Sequence, residues 1–319
     1  MKLFKKVLAG VAVAAAFAAS APVYASTVAI ADMNIFSLGL VNSGGTFAGS
    51  LNILAETRTG TADASFNGVP GVGAGPGSIA SSTVGATVDV QNRCAGDCGS
   101  IAALYAGGGG IENNLTTHLT GPGTRNFALG DMFISGSILG GSVTGLTRAD
   151  AMTAGPTNAG GSNATILNAA AVTGTFTLGT TFTGSVALSA DWFIHSYVDS
   201  LSPVSGTANS GFGWNMRVTS LDPNFGTLIF SPDDLNQTYL STKFAENRLF
   251  GDNNTAGGIG QTYFSDVRTY IAGTQYNFSI NQSSNANVSE VSRVPEPDSL
   301  ALIGLGLLGL FASRRRKSV

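Results

Sequence analysis

Apolar and polar residues alternate with a period of two in several separate windows of this chain. From Gly213 to Thr219, Trp214, Met216 and Val218 fall on one side, with Gly213, Asn215, Arg217 and Thr219 on the other. Tyr276, Phe278 and Ile280 alternate with Asn277 and Ser279 in the same way. In Thr173 to Leu188, Phe176 and Leu178 share a face from which Thr175 and Thr177 turn away. Gly179-Thr180-Thr181 then interrupts, and Phe182, Val186 and Leu188 resume the apolar side. A two-residue repeat is the mark of a strand half-buried against a core, because successive side chains leave opposite faces. The 43 glycines, with Ser, Thr and Asn between the apolar runs, disfavour long helices. The pattern predicts an all-β fold: a single β-sandwich or jelly-roll-like domain. Two short helices are expected within it, over Ile111 to Leu119 and Arg148 to Thr153.

One body is expected, over residues 26–282. No Pro-rich linker divides it, and no fixed-period repeat points to a solenoid or propeller. Gly68 to Gly77 (GVPGVGAGPG) and Gly155 to Asn163 read as flexible loops, and the polar stretch 283–293 as a disordered tether. Tyr270 to Tyr276 resembles the corner before a late sandwich strand, where a Tyr hydroxyl bonds back to backbone a few residues upstream. Ala272 stands where Pro is common in that arrangement. The feature is architectural.

The two ends follow a different logic. Lys2, Lys5 and Lys6 precede an almost wholly apolar run from Val7 to Ala19, and Val23-Tyr24-Ala25 places small residues before Ser26. This is the three-part layout of a secretory signal over residues 1–25, cut between Ala25 and Ser26 by signal peptidase. At the other end, Val294-Pro295-Glu296-Pro297 leads into an apolar run of 13 residues, Leu300 to Ala312, and then Arg314-Arg315-Arg316-Lys317. The run falls short of the ~20 residues that span a bilayer core comfortably. It can insert with local thinning as a transient transmembrane helix, and the basic cluster holds its end on the cytoplasmic side. Pro295 and Pro297 keep Glu296 in an extended, stiff segment just outside the membrane. Residues 294–319 resemble the PEP-CTERM sorting tail of exported bacterial proteins. That resemblance implies an exosortase-like membrane protease as partner, cutting near the Pro-Glu-Pro motif.

Setting the targeting ends aside changes the charge. The chain has 16 Lys and Arg against 19 Asp and Glu, but seven of the bases and two of the acids lie in the end segments. Nine bases and seventeen acids remain between Ser26 and Val294, a net charge of −8. An acidic body without basic runs is unsuited to nucleic acid or to anionic lipid. Only 11% of residues are charged, so the surface must be largely Ser, Thr, Asn and Gly.

Candidate chemistry is sparse. Cys94 and Cys98, the two cysteines, are expected to form a disulfide in an oxidising compartment. Their spacing is not that of a redox CxxC pair, and His118 and His195 are the only histidines available to a metal. No Gly-x-Ser-x-Gly elbow is present. As a strand, Asp191 to Asp199 would place Trp192, Ile194, Ser196 and Val198 inward and turn His195 outward. Trp192, Tyr197, Trp214, Tyr239, Tyr263 and Tyr270 are candidate sugar-stacking rings, although most are expected to fill the core. Gly251 to Thr255 is read as a solvated turn in preference to a calcium loop. The expectation is an exported, non-enzymatic protein of the cell surface or matrix, associated with exopolysaccharide, with no catalytic residue, metal or cofactor. A secreted protein that binds or degrades polysaccharide is the alternative.

Overall fold

Backbone polar groups must be paired wherever a chain is buried, and a sequence of short alternating runs pairs them between strands. In the computed structural model the described residues are 26–73, 75–99, 112–113, 118, 124–154, 159–167, 174–199, 205–243 and 252–291. The strands begin with β1 (Ser26–Val41), β2 (Leu51–Ala55), β3 (Arg58–Phe66), β4 (Val69–Pro70), β5 (Ser78–Ser81) and β6 (Val88–Gly96). They continue through β7 (Phe127–Ser137), β8 (Ser142–Ala154), β9 (Ala159–Leu167), β10 (Gly174–Leu178), β11 (Phe182–Val198) and β12 (Ser205–Ser220). The last five are β13 (Thr227–Phe230), β14 (Asn236–Lys243), β15 (Asp252–Phe264), β16 (Arg268–Tyr270) and β17 (Tyr276–Val291), with a 3₁₀ turn at Asp233–Leu235.

They form two antiparallel sheets, the all-β sandwich that the alternation predicts. One sheet has the order β15-β11-β1-β8-β7-β6, with β16 also on β11. The other follows β13-β12-β17-β9-β3-β4, and β2, β5, β10 and β14 join it off that path. Along β17, β12 covers one side while β9 and β10 divide the other between them. On β12, β13 and β14 divide the free side likewise.

The space between the sheets has two characters. At one end, Trp214, Phe176, Phe225, Tyr270, Tyr276 and Phe278 pack with aliphatic residues of β1, β7 and β11. At the other end small residues meet: Ala29, Ala149, Ala151, Ala208 and Ala286. Polar side chains bridge the sheets nearby, with Thr147 Oγ1 and Ser284 Oγ 2.9 Å apart and Gln282 Nε2 donating to the Met33 carbonyl at 3.1 Å. The windows around Trp214, Phe176 and Phe278 face the core as expected.

Several expectations are corrected. Arg148 to Thr153 is not a helix but the end of β8, paired on both sides by β1 and β7. Ala149 and Ala151 turn inward, while Arg148, Asp150 and Met152 turn away, so two-sided strand pairing overrides the helix propensity of Arg, Ala and Met. Of the stretch 283–293, expected as a tether, the described residues continue β17 to Val291, paired by β12 along that length and by β9 as far as Ser289. The second expected loop holds the start of β9, whose Gly160 and Gly161 pair with β3 and β17. Of the expected Gly251–Thr255 turn, Asp252 to Thr255 are instead the first residues of β15, where Thr255 lies opposite His195, and Gly251 lies outside the described residues.

The Gly68–Gly77 segment is also docked. Val72 and Cys94 exchange backbone hydrogen bonds of 2.9 and 3.0 Å, and Arg93 Nη1 donates to the Gly75 carbonyl at 2.7 Å. A Cβ on Gly73 would stand 2.6 Å from the Asn92 carbonyl oxygen, so this glycine serves close approach. Of the expected Ile111–Leu119 helix, only Glu112, Asn113 and His118 are among the described residues. The leader (1–25) and the sorting segment (294–319), with its apolar run, lie outside them. No helix among the described residues is long and apolar enough to cross a membrane.

Candidate functional site

Strand register places ionisable residues side by side on the face of the first sheet turned away from the second. Phe193, Asp32, Arg148 and Asp131 form one row across β11, β1, β8 and β7. The next row is His195, Ile30, Asp150, Leu129 and Cys94, and the next Tyr197, Val28, Met152 and Phe127. An outer sheet face is ordinarily solvated. Here Asp32, Arg148, Asp150, Asp131 and His195 are all buried.

Buried charge requires partners. Arg148 Nε donates to Asp150 Oδ2 at 2.9 Å and lies 3.8 Å from Asp32 Oδ1. His118 Nε2 lies 2.6 Å from Asp32 Oδ2, and its ring stacks on Phe193 with centroids 4.0 Å apart. Burial raises the Asp32 carboxyl above its ordinary range, outweighing the opposing pull of the Arg148 guanidinium. A second buried ion pair, Arg58 with Glu56, ties the start of β3 to the Ala86 carbonyl through Arg58 Nη1 at 2.7 Å.

Beside this network, three carboxylates converge without a cation. Asp89 on β6, Asp131 on β7 and Glu112 each offer an oxygen, and these atoms lie within 4.8 Å of one another. Glu112 Oε2 accepts from the Asn92 backbone N–H at 3.0 Å and from its Nδ2 at 2.6 Å. Asp131 Oδ2 accepts from the Asn113 backbone N–H at 2.7 Å. Asp89 Oδ1, Glu112 Oε1 and Asp131 Oδ1 are buried and have no hydrogen-bond partner. Burial, then the charges of Glu112 and Asp89, push the Asp131 carboxyl up to about 7. Burial raises Glu112 as well. An all-oxygen, anionic set of this kind suits a hard divalent cation. Asp131 is 0% exposed.

Cys94 and Cys98 are joined by a disulfide with Cα atoms 5.8 Å apart, at the end of β6. Inside that loop Gly96 has φ +88°, and Asp97 N–H donates to the Asn126 carbonyl at 2.7 Å. Asn126 Oδ1 in turn accepts from the Ala154 N–H at 2.8 Å. The bond therefore fastens the margin of the same sheet face.

The other residues singled out from sequence fall into structural places. His195 does turn away from the core, as the alternation predicts, but it is buried, with Nδ1 2.6 Å from Thr255 Oγ1. Trp214 and Tyr270 are buried in the core. Trp192 Nε1 donates to Tyr263 Oη at 3.1 Å, and both rings, like Tyr239, pack half-buried against the core. Tyr197 packs half-buried with the apolar part of the outer face. Ser26, on the mature side of the expected cleavage point, opens β1 and is buried. Ala25, Val294 to Pro297 and Arg314 to Lys317 lie outside the described residues. The carboxylate cluster was invisible in sequence, because its members lie far apart and only strand register brings Asp89 and Asp131 together.

Comparison with known proteins finds the PEP-CTERM protein-sorting motif at residues 293–317. No curated protein and no solved structure matches the chain. The motif marks an exported protein that is anchored transiently through its C-terminal tail and processed by an exosortase-type membrane protein.

Proposed function

We propose that this protein is a non-enzymatic component of the cell surface or extracellular matrix, associated with extracellular polysaccharide. The leader carries the chain out of the cytoplasm, and the exosortase-type protease releases the β-sandwich near Pro295-Glu296-Pro297. The observation that carries the reading is the sorting tail itself, joined to a β-sandwich body in which Asp32, Asp131, Arg148 and Asp150 are buried. The burial of Asp32, Asp131 and Arg148 supports a structural role for these charges. The charge-poor Ser, Thr and Asn surface is compatible with a hydrated glycan matrix, to which it offers hydroxyls and amides.

The test is fractionation of cells carrying the intact protein beside a variant with Pro295, Glu296 and Pro297 all changed to Ala. The intact protein should be shortened and recovered from the surface or medium with the polysaccharide. The variant should keep its tail and remain with the membrane. Identical size and location for the two would reject the sorting step. Recovery of the intact protein free of polysaccharide would reject the matrix association.

A further inference from the structure

We propose that Asp89, Glu112 and Asp131 form a calcium-binding site that fastens the Glu112–Asn113 turn to β6 and β7. Three separate segments deliver the carboxylates, and their ligand oxygens lie within 4.8 Å of one another. That is the spacing of atoms that share one ion at ~2.3–2.6 Å. Carboxylates gathered so closely disfavour one another's ionised form, and the described residues place no Lys or Arg in an ion pair with any of them.

A second observation points to a ligand independently of the clustering. Asp131 is wholly buried, and its Oδ1 accepts no hydrogen bond. A buried carboxylate oxygen without a donor is costly, and native structures rarely keep one without an ion or water. Asp89 Oδ1 and Glu112 Oε1, on half-buried residues, are likewise buried atoms without a hydrogen-bond partner. The remaining oxygens of Glu112 and Asp131 are already aligned by Asn92 and Asn113, as the outer hydrogen bonds of a metal site align its ligands.

Ligand chemistry selects the ion. No thiolate or imidazole belongs to the cluster, which disfavours zinc and copper. Magnesium demands near-octahedral geometry and gives up water reluctantly, whereas calcium accepts irregular carboxylate sets. Extracellular calcium modules bind in the range of ~10⁻⁴ to 10⁻³ M, which an exported protein can exploit. The bound ion would hold the Glu112–Asn113 turn against the sheet face on which His118 meets Asp32. This inference is independent of the matrix reading.

The experiment is calorimetric titration of the purified, chelator-stripped protein with calcium chloride, paired with thermal melting with and without the salt. One saturable site per chain is expected, with a melting temperature that rises as calcium is added. Asp131→Asn and Glu112→Gln should each weaken binding at least tenfold and abolish the thermal shift, while Asp63→Asn, on an exposed position of β3, should change neither. Asp89→Asn carries the same expectation if one of the first two variants does not fold. No saturable binding by the unaltered protein would overturn the site, as would undiminished binding by the variants. Magnesium binding tenfold tighter than calcium would overturn the choice of ion.

Discussion

The hydroxyl of Tyr276 accepts a hydrogen bond of 2.7 Å from the backbone N–H of Ile271, five residues upstream. This closes the corner between β16 and β17. The Tyr276 ring stacks on Phe176 at 5.2 Å and meets Phe225 edge-on at 4.9 Å, so one side chain fills the core and satisfies the turn. Replacing Tyr276 with Phe keeps the packing and leaves the Ile271 N–H without its acceptor. A loss of about 1–3 kcal/mol is expected. Urea denaturation should show a lower midpoint with an unchanged slope. A midpoint equal to that of the unaltered protein would mean that the corner does not depend on this bond.

That corner was legible because a Tyr at fixed spacing from a Gly turn carries its own signature. The windows around Trp214 and Phe278 were legible because large apolar residues report their period. The second half of β17 was not, although its burial alternates just as regularly. Gln282, Ser284, Ala286, Val288 and Glu290 are buried, while Ser283, Asn285, Asn287 and Ser289 are more exposed. Its inward residues are small or polar because they face Ala29, Ala149, Ala151 and Thr147, and hydropathy cannot distinguish that from a tether. Glu290 can be buried there because Thr27 Oγ1 donates to it at 2.8 Å, a partner 263 positions away. Asp32, Arg148 and Asp131 were hidden for the same reason, since only register makes them neighbours.

Arg148 is the hinge of the buried charge network. Removing it leaves Asp32 and Asp150 without the guanidinium that both face, a change that typically costs about 3–5 kcal/mol. Arg148→Ala should therefore lose much of the folding stability, measured by denaturant titration. Arg217, exposed on β12, is the internal comparison, and its Ala variant should leave the midpoint unchanged. Equal midpoints for the two variants would mean that the network contributes nothing to folding.

Two glycines separate backbone strain from close approach. Gly45 and Gly96 both have positive φ, +77° and +88°. A Cβ on Gly45 meets nothing within 4 Å, whereas on Gly96 it would stand 2.1 Å from the Asn126 carbonyl oxygen. Gly45→Ala should cost about 1–2 kcal/mol, from conformation alone. Gly96→Ala adds displacement of the Asn126 backbone and should cost about 2–4 kcal/mol in all. Thermal melting of the two variants, with the Cys94–Cys98 bond intact in both, gives the comparison. A smaller loss at Gly96 would show that the disulfide loop moves aside freely.

Asp32 sets a pH dependence opposite to that of an ordinary surface carboxylate. Its carboxyl faces Arg148 and Asp150 on β8, His118 above the sheet, and the Phe193 ring on β11. Burial raises it above the 3.8 of a free Asp, so the folded chain holds this proton more tightly than the unfolded chain. As pH rises past 3.8 the unfolded state releases the proton first, and the stability that protonation lends the fold is lost through the folded-state titration. Asp131 and Glu112 are raised too and act in the same direction. The difference between the unaltered protein and Asp32→Asn isolates Asp32. From pH 4 towards neutrality, the urea midpoint of the unaltered protein should fall relative to that of Asp32→Asn. A constant difference over that range would mean that Asp32 titrates alike in the folded and unfolded chains, and that Arg148 and His118 fully offset its burial.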